Sequence, residues 1–128
     1  MGLLIFRSVE IRGAKYGIDA RDRSTTGLGD DSYTGDPDPQ ESTITGSAQS
    51  VSVINIVKSN VKLDGLTITS NYIGAAKEHS GIWINSKGGS DTIISGVTIN
   101  NCVIRHLATN VYSNKLRGIW VDTTPHDG

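Results

Sequence analysis

The sequence predicts an all-β solenoid, a right-handed parallel β-helix of about four coils. Three observations predict it: internal repeats, strand-like segments of three to five residues, and sharp-turn residues between them.

The repeats come in two registers. Placing Val61-Lys-Leu-Asp-Gly-Leu-Thr-Ile-Thr-Ser-Asn-Tyr-Ile73 over Thr92-Ile-Ile-Ser-Gly-Val-Thr-Ile-Asn-Asn-Cys-Val-Ile104, an offset of 31, sets Gly65 on Gly96 and Leu66-Thr-Ile68 on Val97-Thr-Ile99. Gly81-Ile-Trp-Ile84 and Gly118-Ile-Trp-Val121 then match at an offset of 37. A fainter copy puts Val9-Glu-Ile11 in the place of Leu66-Thr-Ile68 and Gly17-Ile-Asp-Ala20 in the place of Gly81-Ile-Trp-Ile84. Thr43-Ile-Thr45 and Ser52-Val-Ile-Asn-Ile56 supply one more coil between them. Self-similarity of this kind means units that each bury a face on the next.

The units are strands because they alternate with period two, as in Leu66/Ile68 inside and Thr67/Thr69 outside. None sustains a 3.6-residue period long enough for a helix. Asp64-Gly65, Ser95-Gly96, Lys87-Gly-Gly89 and Asn100-Asn101 are corner residues, which accept left-handed backbone angles or bond their own backbone. Asn71 and Asn100 fall near equivalent turns, as an asparagine ladder between coils or as separate surface residues.

Composition narrows the partners. The 128 residues suit a single domain, 1–128, interrupted by a long acidic loop at about 21–42. A net charge of −1 supplies no field for nucleic acid or an anionic membrane surface. The apolar start, Met1 to Phe6, ends at Arg7, too short for a signal peptide or a membrane span, so no membrane insertion is expected. The single cysteine, Cys102, allows no intrachain disulfide and is expected to pack as a small hydrophobe.

Val9 to Ser24, then Glu-Ser-Thr-Ile-Thr-Gly at 41–46, then Asn-Val-Lys-Leu-Asp-Gly-Leu-Thr-Ile at 60–68 follow one another in an order that resembles the right-handed parallel β-helix, or pectin-lyase-like, superfamily. That group contains mostly exported polysaccharide-active enzymes, phage tailspikes and surface proteins. The resemblance implies an extracellular or cell-surface setting and specifies fold rather than activity. Relative to the group, an earlier strand and helical cap before Leu3 and further coils after Gly128 are missing, so a fragment or a self-associating unit is expected.

Function must then come from outward residues. With Ile82/Ile84 and Ile119/Val121 pointing inward, Trp83 and Trp120 point outward on neighbouring coils, with Asn55 and Asp19 in the same column. The tryptophans would form a platform for sugar rings, with Asp19, Asn55, Asn85 and Asp122 as hydroxyl partners: a glycan-binding face. The competing reading is that the loops Lys87 to Asp91 and Ala108 to Lys115, or a neighbouring chain, cover the indoles.

Two further function classes stand beside glycan binding. Open coil ends could stack end to end, or side faces could trimerise, into a fibre or spike. Alternatively the chain is part of a polysaccharide lyase or glycoside hydrolase, although neither a base with uronate neutralisation nor a carboxylate pair can be assigned. The acidic loop holds Asp30, Asp31, Asp36 and Asp38 near Pro37 and Pro39; it is either a solvated loop or a calcium site, and its spacing fits no EF-hand. Arg21-Asp-Arg23 reads as a surface ion-pair cluster, and His79, His106 and His126 read as exposed loop residues.

Overall fold

The computed structural model describes residues 2–20, 41–46, 51–70, 79–105 and 116–122. They form strands and no α-helix: β1 (Leu3–Ile5), β2 (Val9–Arg12), β3 (Ser42–Gly46), β4 (Ser52–Ile56), β5 (Val61–Asp64), β6 (Leu66–Ser70), β7 (His79–Asn85), β8 (Thr98–Asn100), β9 (Val103–Ile104) and β10 (Leu116–Asp122). Every pairing is parallel. Sheet A runs β1-β4-β7-β10, sheet B β2-β5-β8 and sheet C β3-β6-β9. The chain thus visits A, B and C in turn three times and starts a fourth round with β10, which is consistent with a β-solenoid-like architecture. The acidic stretch 21–40 lies outside the described residues, and Ser42 already belongs to β3.

Strands of two to seven residues cannot hold themselves, so neighbours in the stack must. In sheet A, Leu3, Ile54, Ile82 and Ile119 are successive Cα partners, as are Ile5, Ile56, Ile84 and Val121. Sheet B contributes Ile11, Leu63 and Ile99, and sheet C Ile44, Ile68 and Ile104. Burial is complete in the middle of these ladders: Ile54, Ile56, Leu63, Ile68 and Ile82 are 0% exposed, against 41% for Leu3 and 46% for Ile119 on the outer strands. Cys102 packs against this core as expected, its Sγ 3.2 Å from the Asn100 carbonyl oxygen.

The corners are as repetitive as the strands. Asn60 and Gly96 both take a left-handed backbone (φ 58 and 67), and so do Gly65 and Asn101 (φ 75 and 49). Gly65 has a second requirement, because a Cβ there would collide with the backbone of Lys15 and Tyr16. These pairs fix the true register of the repeat. Leu63 pairs with Ile99, and Ile68 with Ile104, an offset of 36. The 31-residue alignment is therefore corrected: it matched glycine to glycine and so laid a sheet C strand, β6, over a sheet B strand, β8. Val9-Glu-Ile11 likewise pairs with Val61-Lys-Leu63, not with Leu66-Thr-Ile68.

Serines link successive coils at one corner. At the A-to-B corner the Ser8 hydroxyl donates to the Ser59 carbonyl at 2.8 Å, and the Ser95 N–H donates to the Ser59 hydroxyl at 3.1 Å. Asn100 is a strand residue paired with Asp64, and Asn71 lies outside the described residues. At the B-to-C corner the Asp64 carboxylate, 3% exposed, accepts from the Gly17 N–H at 3.2 Å and from Asn101 Nδ2 at 2.9 Å. One buried carboxylate so ties three successive corners together.

The turn after β7 folds back on the preceding coil. Asp91 accepts from Lys58 Nζ at 2.5 Å and from the Ser59 N–H at 2.9 Å. The ammonium first, and the backbone donor second, hold its carboxyl at about 2, down from an ordinary 3.8. A carboxylate with a depressed folded-state pKa adds stability that is complete above the unfolded value and is lost as pH falls through the folded one. Unfolding midpoints recorded against pH should fall between about pH 4 and pH 2, and Asp91→Asn should flatten part of that acid limb. Separately, Ile82→Ala, at the centre of the sheet A ladder, should cost about 2–5 kcal/mol in urea unfolding.

Candidate functional site

Sheet A turns one row of side chains away from the core. Its members, in register, are Leu4, Asn55, Trp83 and Trp120. Ile82 and Ile84 occupy the opposite face of β7, so the tryptophans point outward as the alternation predicts. Asn85 and Asp122 are also Cα partners, two residues beyond the indoles on the same face. Five of the six glycan-binding candidates therefore share one surface.

The sixth, Asp19, does not. It follows a turn closed by the Tyr16 N–H on the Gly13 carbonyl and the Ile18 N–H on the Lys15 carbonyl, each at 3.0 Å, and it belongs to no strand. Leu4 holds the place in the column that was expected for Asp19. The match between Gly17-Ile and Gly81-Ile is one of residue identity only, since Gly17 sits in a left-handed turn (φ 74) and Gly81 lies within a strand.

Register puts indole on indole. The Trp83 and Trp120 rings are stacked, with centroids 4.8 Å apart and planes 7° from parallel. That separation is the spacing of neighbouring strands, so the rings are piled along the stack rather than laid side by side. The Arg117 guanidinium lies over the Trp120 ring at 4.4 Å from its centroid. A guanidinium has no room between rings 4.8 Å apart, so Arg117 covers the Trp120 face turned away from Trp83. A broad two-ring platform is thus replaced by a pile of guanidinium, indole and indole.

Polar groups around the pile differ in their commitments. Asn85 is 6% exposed and its Oδ1 accepts from the Lys87 N–H at 3.0 Å, so it closes the turn after β7. The Asp122 carbonyl accepts from the Ser86 hydroxyl at 3.1 Å. Among the described residues, Asn55 Oδ1 and Trp83 Nε1 are covered atoms with no hydrogen-bond partner. One is an acceptor and the other a donor, on paired residues of adjacent strands. The turn Lys87 to Asp91 packs on Val57, Lys58 and Ser59, while Ala108 to Lys115 lies outside the described residues.

The outer face of sheet B carries a different cluster. Glu10 meets Arg12 at 3.0 Å and Lys62 at 3.3 Å, and Arg12 lies over the Tyr16 ring at 4.3 Å. Arg12 first, then Lys62, lowers the Glu10 pKa. Such exposed pairs neutralise one another and contribute little.

His79 corrects an expectation. It opens β7 opposite Leu116 and is 1% exposed, not a loop residue. His106, His126, Arg21, Asp22 and Arg23 lie outside the described residues, as do Asp30, Asp31, Asp36 and Asp38, the calcium candidates. Among the described residues no three His, Cys, Asp or Glu side chains gather as metal ligands. Arg117 went unread in the sequence, because strand alternation puts residues three apart on opposite faces and only the length of its side chain brings the guanidinium over Trp120.

Compared with protein-family models, with curated proteins and with solved structures, the chain matches none.

The stacked pair makes a spectroscopic prediction. Near-parallel indoles at this separation should give oppositely signed paired bands in circular dichroism, and Trp83→Phe or Trp120→Phe should each abolish the pair of bands. A double-mutant cycle of Trp83→Ala and Trp120→Ala should give a coupling of about 0.5–1.5 kcal/mol beyond the change in buried area. Additive single-indole spectra in the unmodified chain would contradict the stack.

Proposed function

We propose that the chain folds as a right-handed parallel β-helix of the pectin-lyase-like kind, and that the outer face of its sheet A binds a glycan in an extracellular or cell-surface setting. Support for closure comes from the repeated A, B, C order of the strands. Support for the hand comes from the rule that parallel crossovers within one sheet are right-handed in about 98% of cases.

The observation that carries the binding reading is the column itself: a stacked, half-buried indole pair in register with Asn55 on the outer face of sheet A. The C–H face of a sugar ring can rest on the aromatic carbon that the pair leaves exposed. Asp122 adds an acceptor on the same face. Tryptophan fluorescence titrated with neutral and acidic polysaccharides tests this. A saturable change that Trp120→Ala removes is expected, and an unchanged spectrum with every glycan would refute it.

A second reading, self-association along the stack, is favoured by the outer strands. Leu3, Leu4 and Phe6 are 41%, 42% and 60% exposed, and Leu116, Ile119 and Val121 are 50%, 46% and 55% exposed. On this reading apolar edges of two copies meet. Sedimentation at rising concentration should show mass growth, whereas a strict monomer at high concentration would exclude it.

A further inference from the structure

Resting on the self-association reading, we propose that two copies join through the free edge of β1 while Arg117 closes the edge of β10, so that association ends at a symmetric dimer rather than a fibre.

The path of the Arg117 side chain carries the closure. Its Cα is the partner of buried Ser80 and stands two residues before Ile119, so strand alternation starts the side chain in the inward row. Its guanidinium nevertheless lies over Trp120, an outward residue, at 4.4 Å from the ring centroid. The gap between the indoles, 4.8 Å, is closed to it. A side chain that begins on the inner face and ends on the outer one therefore crosses the outer edge of β10, where a further parallel strand would hydrogen-bond. It is held there, since Nη1 is a covered atom and the residue makes interactions beyond the ring contact. A fixed charge across an edge strand is a barrier to extending the sheet, because an added strand would bury the guanidinium.

The opposite end carries no such barrier. β1 is Leu3-Leu-Ile5, flanked by Gly2 and Phe6, and among the described residues its one strand partner is β4. Leu3, Leu4 and Phe6 are exposed. Two such edges match about a two-fold axis. Set antiparallel and centred on Leu4, they place Leu3 opposite the partner's Ile5, inner row on inner row, so that the aliphatic core of one copy runs on into the other. Leu4 then lies beside the partner's Leu4, and Gly2 opposite the partner's Phe6. None of these residues is charged, so no like charges oppose one another. An isologous contact of this kind uses the edge of both copies at once and closes the assembly. Head-to-tail growth would instead lay β1 on the edge that Arg117 crosses.

The full chain, sedimented at rising concentration, should reach twice the monomer mass and stop there. Leu4→Lys should leave a monomer. In a Cys102→Ala background, Leu4→Cys should give a disulfide-linked dimer on mild oxidation, because the two side chains face each other across the axis, whereas Ile119→Cys should not. Arg117→Ala and Arg117→Gln should each carry assembly past the dimer.

Growth of the unmodified chain past twice its mass would overturn the closure and leave self-association standing. So would Arg117 variants that stop at the dimer with their strand signal in circular dichroism intact. A dimer that survives Leu4→Lys, or that Ile119→Cys links and Leu4→Cys does not, would overturn the β1 contact. A strict monomer at high concentration would remove the self-association reading and the dimer together.

Discussion

Everything in this structure depends on parallel, in-register stacking of strands too short to exist alone. A three-residue strand such as β1 or β8 forms few backbone bonds and repays little of the entropy of ordering it. Its stability comes from the strand above or below, where Ile54 sits on Ile82 and Leu63 on Ile99, and from corners that return the chain at the same angle each time. Asn60 and Gly96, and Gly65 and Asn101, keep that angle by sharing a backbone conformation rather than a side chain. The serine contacts at one corner and Asp64 at the next satisfy polar groups that the stack would otherwise bury unpaired.

That constraint also explains how much could be read in advance. Outward tryptophans, inward isoleucines and the 37-residue register were legible because Gly-Ile-Trp repeats with its residues unchanged. The neighbouring register was misread because the repeat there conserves φ, and asparagine substitutes for glycine in the left-handed region at low cost. Matching Gly65 to Gly96 obeyed residue identity and broke conformational identity. Asp19 was misplaced for the same reason, since a glycine followed by isoleucine marks a turn at Gly17 and a strand interior at Gly81.

Lengths of the connections concealed the rest. Leu4 and Asn55 are register partners separated by 51 residues, whereas Asn55 and Trp83 are separated by 28. No fixed period spans both intervals, so β1 was not aligned by repeat, although Gly2-Leu-Leu-Ile5 stands in the register of Gly81-Ile-Trp-Ile84. His79 was hidden because β7 begins two residues before its glycine, and a polar residue beside Ser80 resembles a loop. The serine corner left a trace in Ser59-Asn60-Val61 and Ser95-Gly96-Val97 that becomes visible once the 36-residue offset is applied.

Stacking has a less obvious consequence for any surface built on such a sheet. Identical residues in register touch one another before they touch a ligand, so two tryptophans do not double the aromatic face on offer; they consume each other's. The column then exposes ring edges along its length and a full ring face only where the next member is not aromatic. Here that member is Arg117, brought over Trp120 from within its own strand. What the column offers is therefore set less by the number of aromatic residues in it than by the register that stacks them and by the guanidinium that lies over Trp120.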